Sequence, residues 1–181
     1  MLDNKKYRRW RHTGIATLTA LLTASVLLVG GTNTVDAAVK VQAKAAQSTS
    51  LAAQYAKIQA DYAAKVVVLV NKERANAGLK PLNVHDRLTK LAKDKAIDLY
   101  TKNYFDHTSP TYGSPFEMMD AYNITYRYAG ENIAKGQRSP EEVVKAWMNS
   151  PGHRQNILNS HYTLIGVGYY NSEWVQEFIG K

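Results

Sequence analysis

"YTLIGVGYYNSEWVQEFIG", residues 162–180, consists of two short β-rich runs separated by Asn171-Ser172. Aromatic and β-branched residues suit a pleated, half-buried surface, and a polar pair between two such runs marks a tight turn. The stretch therefore reads as a β-hairpin. Upstream, "TYRYAGENIA" (125–134) holds a further strand. The segments around these strands have helical periodicity instead. In "AAKVVVLVNKERANAGLKPL" (63–82), Ala63, Val66, Val67, Val70 and Ala77 fall near one helical face, and Gly78 and Pro81 supply a stop. In "HDRLTKLAKDKAIDLYTKN" (85–103), Leu88, Leu91, Ala92, Ala96, Leu99 and Tyr100 form a stripe against charged residues. Ser114-Pro115-Phe116-Glu117 and Ser139-Pro140-Glu141-Glu142 each place an N-cap serine before proline, with glutamate at the third helical position, and each opens a helix. Helices surrounding a few mainly antiparallel strands predict an α+β domain rather than a regular βαβ series.

The 181 residues carry a formal charge of +8 and contain no cysteine. Residues 5–12, "KKYRRWRH", form a basic leader, "TGIATLTALLTASVLLVGG" (13–31) an apolar run, and Val35-Asp36-Ala37 a small-residue processing site. Together they predict a secretory signal peptide, residues 1–37, cleaved after Ala37. The alternative is an uncleaved anchor, because the apolar run approaches the ~20 residues that span a bilayer. Cleavage removes five of the 23 basic and two of the 15 acidic residues, which leaves 18 and 13, a net +5 without a transmembrane segment. No dense Lys/Arg cluster interleaved with aromatics argues for nucleic acid. The lack of cysteine excludes disulfide staples and a lipid-modified N-terminal cysteine. Residues 38–62, rich in Ala, Gln, Ser and Lys, read as a spacer whose second half continues helically through Leu51, Tyr55, Ile58 and Tyr62. Residues 63–181 are long enough for one domain.

Two of the five histidines sit in turn-like segments flanked by Ser-Pro and aromatics: His107 in "YFDHTSP" and His153 in "SPGHR". With Ser150 as N-cap and Pro151 first, His153 is the third residue of a helix. The positive end of the helix dipole there favours neutral imidazole, the form that accepts a hydrogen bond or a metal. His12 lies in the leader, and His85 and His161 read as surface or structural residues.

The blocks "NYFDHTSP", "SPFEMM", "AGENIA", "AWMNSPGHRQNIL", "GVGYY" and "EWVQEF" resemble, in order and spacing, the CAP superfamily (SCP domain). That family includes cysteine-rich secretory proteins, venom antigens, plant pathogenesis-related proteins and bacterial secreted proteins. The resemblance covers roughly residues 65–181 and implies a three-layer α-β-α sandwich with a small, mainly antiparallel central sheet. It further implies a cleft lined by His107, Glu117, Glu131 and His153. In some relatives such a cleft binds zinc or another divalent cation, so His107 and His153 become candidate metal ligands, and Glu131 and Glu117 candidate general bases. Each glutamate also has a plain structural role open to it: Glu117 in its capping box, Glu131 as partner to buried donors or an arginine.

Three functions follow as expectations. The first is a secreted, extracellular module binding a cell-envelope or lipid-like ligand. It is favoured because the chain lacks a Gly-x-Ser-x-Gly elbow, a cysteine nucleophile and a His-Glu-x-x-His helix. The second is a metal-assisted hydrolase of peptide or wall-polymer bonds, and the third a structural adhesion protein with residues 38–62 as its arm. Missing cysteines point to a bacterial type and away from activities of the eukaryotic cysteine-rich extension, and the expected location is extracellular or at the cell wall.

Overall fold

The β-hairpin forms the centre of the domain: β3 (Leu164–Tyr170) and β4 (Glu173–Gly180) pair antiparallel around a two-residue turn. Asn171 (φ 44°) and Ser172 (φ 68°) both adopt left-handed backbone there, the twist a tight hairpin needs. The computed structural model describes residues 32–181. The expected basic leader and apolar run lie outside the described residues. The elements, in chain order, are α1 (Thr32–Asn76), β1 (Asn83–Val84), α2 (Asp86–Thr101), α3 (Pro115–Ala121), β2 (Tyr128–Lys135), α4 (Pro140–Asn149), α5 (Pro151–Ile157), β3 and β4. Residues from Ala43 onward form one compact unit. Among the described residues, no helix is long and apolar enough to cross a membrane.

The sheet order is β1-β3-β4-β2. β2 pairs antiparallel with β4, whereas the two-residue β1 adds to β3 in parallel, so the sheet is mixed. Side-chain alternation divides its faces. Leu164, Val175, Ile179 and Ile133 share one face with Glu131 and Glu177, beneath α2 and α3, where Leu88, Leu91, Ala92, Ala96, Leu99, Met118 and Met119 are buried. Ile165, Val167, Trp174, Phe178 and Ala134 share the other, covered by Val66 and Val70 of α1, Val143, Val144 and Trp147 of α4, and Ile157 of α5. The result is an α-β-α sandwich. α2 lies so close to β3 that a β-carbon on Gly168 would fall 2.2 Å from the Ala92 carbonyl oxygen. Only glycine permits that approach.

α1 ends as its sequence predicts, with Gly78 at φ 73°. Of the expected apolar face α1 buries Val66 and Val70, while Ala77 lies beyond its end and is exposed; the helix also buries Arg74, which donates to the carbonyl oxygens of Lys80, Ile157, Asn159 and Tyr162 at 2.8–3.3 Å. This guanidinium ties the helix to the segment entering β3. The helix is continuous through residues 43–62, and Leu51, Tyr55 and Ile58 stay exposed. On α2 the expected stripe needs correction: Tyr100 is exposed and lies edge-on to Tyr170, while Lys95 and Asp98 are buried. Their reason for burial is the loop that follows.

Candidate functional site

The loop between α2 and α3 carries His107 and is fastened to α2 from below. Asp98 accepts hydrogen bonds from Tyr104 Oη (2.7 Å), Ser109 Oγ (2.6 Å) and Thr111 Oγ1 (2.6 Å). Burial alone would push this carboxyl upward. The three hydroxyl donors, with Lys95 nearby, hold it below the ordinary aspartate range instead. Lys95 Nζ donates to the carbonyl oxygens of His107 (2.6 Å) and Asp106 (3.1 Å). Burial lowers the pKa of this amine, against the opposing pull of Glu131 and Glu177.

His107 Nδ1 lies 2.6 Å from Glu131 Oε1, where the imidazole side chain is 54% exposed and the carboxylate 2%. A carboxylate partner makes Nδ1 the donor and leaves Nε2 as the ring's second polar atom. The hydrogen bond to Glu131 raises the His107 pKa above its usual value, against the opposing effect of burial. Glu131 is set by the sheet: in register it stands opposite Glu177 of β4. Glu177 is fully buried, and neither of its oxygens has a hydrogen-bond partner. Burial, then the neighbouring Glu131 charge, pushes its carboxyl well above the usual range and favours the neutral acid.

His153 enters from the other side on α5. Asn132 Nδ2 donates to the His153 carbonyl oxygen (3.1 Å) and to Gln176 Oε1 (3.0 Å), and Asn156 Nδ2 donates to Asn132 Oδ1 (2.9 Å) and to the Glu131 carbonyl oxygen (3.2 Å). A buried amide network thus fixes the helix to β2. Ser150 occupies the N-cap position but makes no side-chain cap hydrogen bond. The His153 pKa is lowered, as the sequence predicts, but by burial first and the facing charge of His107 second. The helix end is not the principal cause.

His107 and His153 line one cleft of about 480 Å³, with Phe105, Trp147 and the Ile133–Lys135 stretch of β2. Glu131 supports it from behind His107. Glu117 is not among the lining residues; its exposed carboxylate accepts from Ser114 N (2.7 Å) and Ser114 Oγ (2.8 Å) in a complete capping box. The structure therefore brings three of the four expected site residues together. His85 caps α2, accepting from Leu88 N, and His161 stacks on Tyr128.

Sequence reading missed Lys95, Glu177 and Asn132. Lys95 stands four positions after Leu91 and four before Leu99, on the buried stripe. Glu177 alternates with Val175 and Ile179, and both patterns signal burial. Among the described residues, no group of three or more His, Cys, Asp or Glu side chains is arranged to hold a metal. Catalytic zinc normally has three protein ligands, and here the cleft presents two imidazoles, with Glu131 behind His107 in the position of a carboxylate that orients a ring.

The domain is a three-layer sandwich with an imidazole pair in a cleft at the sheet edge. Residues 67–178 match the cysteine-rich secretory protein (CAP) family, and the chain belongs to it. It is 62% identical over 122 residues to the uncharacterized protein YkwD of Bacillus subtilis, covering 66% of this chain and 48% of that one. An extracellular protein containing an SCP domain from Bacillus anthracis superposes with TM-score 0.69 at 31% identity, covering 70% of this chain and 43% of that one. An outer surface protein of Borrelia burgdorferi gives TM-score 0.58 at 26% identity, covering 64% and 89%. The chain thus spans less than half the length of the two Bacillus proteins.

Proposed function

We propose that the protein is an extracellular binding module that holds a polar cell-envelope ligand between His107 and His153. The observation that carries this reading is the 2.6 Å bond between His107 and Glu131. It fixes the orientation of one imidazole, whose Nε2 accepts when the ring is neutral and donates when it is protonated, while His153, shifted toward its neutral form, faces the same cleft as donor or acceptor. Hydrolysis is less well supported. Glu131, the base that chemistry would require, has one oxygen on His107 and the other buried. Ser109 and Thr111 are committed to Asp98 and Ser114 to Glu117, whereas Ser150, which lines the cleft, makes no side-chain cap hydrogen bond. Relatives described as extracellular or outer-surface proteins support export, with residues 1–37 as the cleaved leader.

Calorimetric titration with soluble peptidoglycan fragments tests the binding reading. Binding that is lost in His107→Ala or His153→Ala supports it. Equal binding by both variants, or turnover that vanishes in Glu131→Gln, overturns it. Parallel titration with Zn²⁺ is expected to give weak binding; tight binding abolished by the double histidine variant would restore the metal.

A further inference from the structure

The floor of the cleft is the free edge of the sheet. β2 is the outer strand, paired on one side only with β4. Gly136 N donates to Ser172 O, which continues the ladder, so even-numbered residues of β2 turn their backbone toward β4. The odd-numbered residues turn theirs outward. Three outward carbonyls are already occupied by side chains. Tyr162 Oη donates to Ala129 O (2.9 Å), Asn156 Nδ2 to Glu131 O (3.2 Å) and Trp147 Nε1 to Ile133 O (3.3 Å). The outward N–H groups are treated differently. No loop, turn or side-chain acceptor meets the amides of Ile133 and Lys135, and both residues line the cleft.

We infer that the ligand is an extended peptide laid along β2, giving two carbonyl oxygens, two residues apart, to the N–H groups of Ile133 and Lys135. The inference rests on the cleft being the binding site. Residues i and i+2 of a strand are about 6.8 Å apart, and so are alternate carbonyls of an extended peptide. The repeat of the donors matches the repeat of that backbone and needs no particular side chain. Specificity then comes from the walls. Alternate side chains of a peptide on this edge point to opposite faces of the sheet, one toward Phe105 and His107, the other toward Trp147 and His153. Three of the four outward carbonyls of β2 are occupied and only that of Lys135 has no donor, so the edge offers more donors than acceptors. A second copy of the chain, which would need both for a full ladder, is disfavoured.

The test uses the full chain, ¹⁵N-labelled, with three probes: a randomised pool of N-acetylated, C-amidated pentapeptides, chito-oligosaccharide, and phosphatidylglycerol vesicles. The peptide pool is expected to move the Ile133 and Lys135 amide protons downfield and slow their exchange, with Asn132 and Ala134 amides moving less. Lys135→Pro, which removes one donor, is expected to bind peptide about tenfold more weakly than Lys135→Ala, since both lose the Glu173 ion pair but only one loses the N–H. Should the proline variant fail to fold, the amide shifts of the unmodified chain decide alone. Peptides that move His107 and His153 but leave both amides unchanged overturn docking on the edge. Glycan or vesicles that move the histidines when peptides do not overturn the peptide but leave the binding module standing. If none of the three probes perturbs the cleft, both readings fall.

Discussion

Two imidazoles in one cleft are driven in opposite directions by their surroundings. The Glu131 hydrogen bond raises His107, and burial lowers His153. In an NMR titration, the His107 ring resonance is expected to turn over above pH 6.5 and that of His153 below it, and Glu131→Gln to return His107 toward its ordinary value. The stability consequences differ in sign. A raised histidine contributes fully below about pH 6.5 and loses that contribution as pH rises through its folded value. A lowered one contributes above pH 6.5 and loses it as pH falls through its own. Glu177 belongs with the raised groups: its folded-state advantage is present below the usual glutamate range and declines as pH climbs toward its elevated value. Glutamine imitates the neutral acid and can donate to the orphaned Glu131 Oε2. Glu177→Gln is therefore expected to stabilise the fold at pH 8 by about 1 kcal/mol, some 2–8 °C in Tm, with a smaller effect at pH 4. An equal or lower Tm at pH 8 would contradict the neutral-acid assignment.

Elements were legible in the sequence to the extent that one local pattern determines them. Ser114-Pro115-Phe116-Glu117 closes a full capping box. Ser139 caps α4, but Glu142 reaches back to Arg138 N rather than to the cap residue, so the second box is only half made. β1 escaped notice because two residues carry no periodicity, and its pairing depends on β3, some eighty positions away. Lys95 and Asp98 read as solvated because their partners lie in a loop whose position no spacing rule gives. The closeness of α2 to β3, in contrast, is written into the glycines of "IGVGY". Gly168→Ala is expected to destabilise the domain by more than about 2 kcal/mol in urea unfolding, since its new methyl would meet backbone rather than a side chain able to move.

At the scale of the molecule, the sandwich and most of the site follow from six sequence blocks that the fold draws together. Glu117 stays at its cap, and Glu177 and Asn132 enter the site through strand register. The two sides of the cleft are also built differently. The His107 side is bonded through Asp98 and Lys95 to a helix seated on the glycines of β3, whereas the His153 side is a seven-residue helix held by side-chain amides and lacking a side-chain cap. Hydrogen exchange is expected to be slowest in α2 and the β3–β4 hairpin and faster in α5, and uniform protection would refute the difference. The cleft thus works like a vice with one fixed jaw. A guest bulkier than the resting gap is expected to shift the short helix rather than the loop that aims His107.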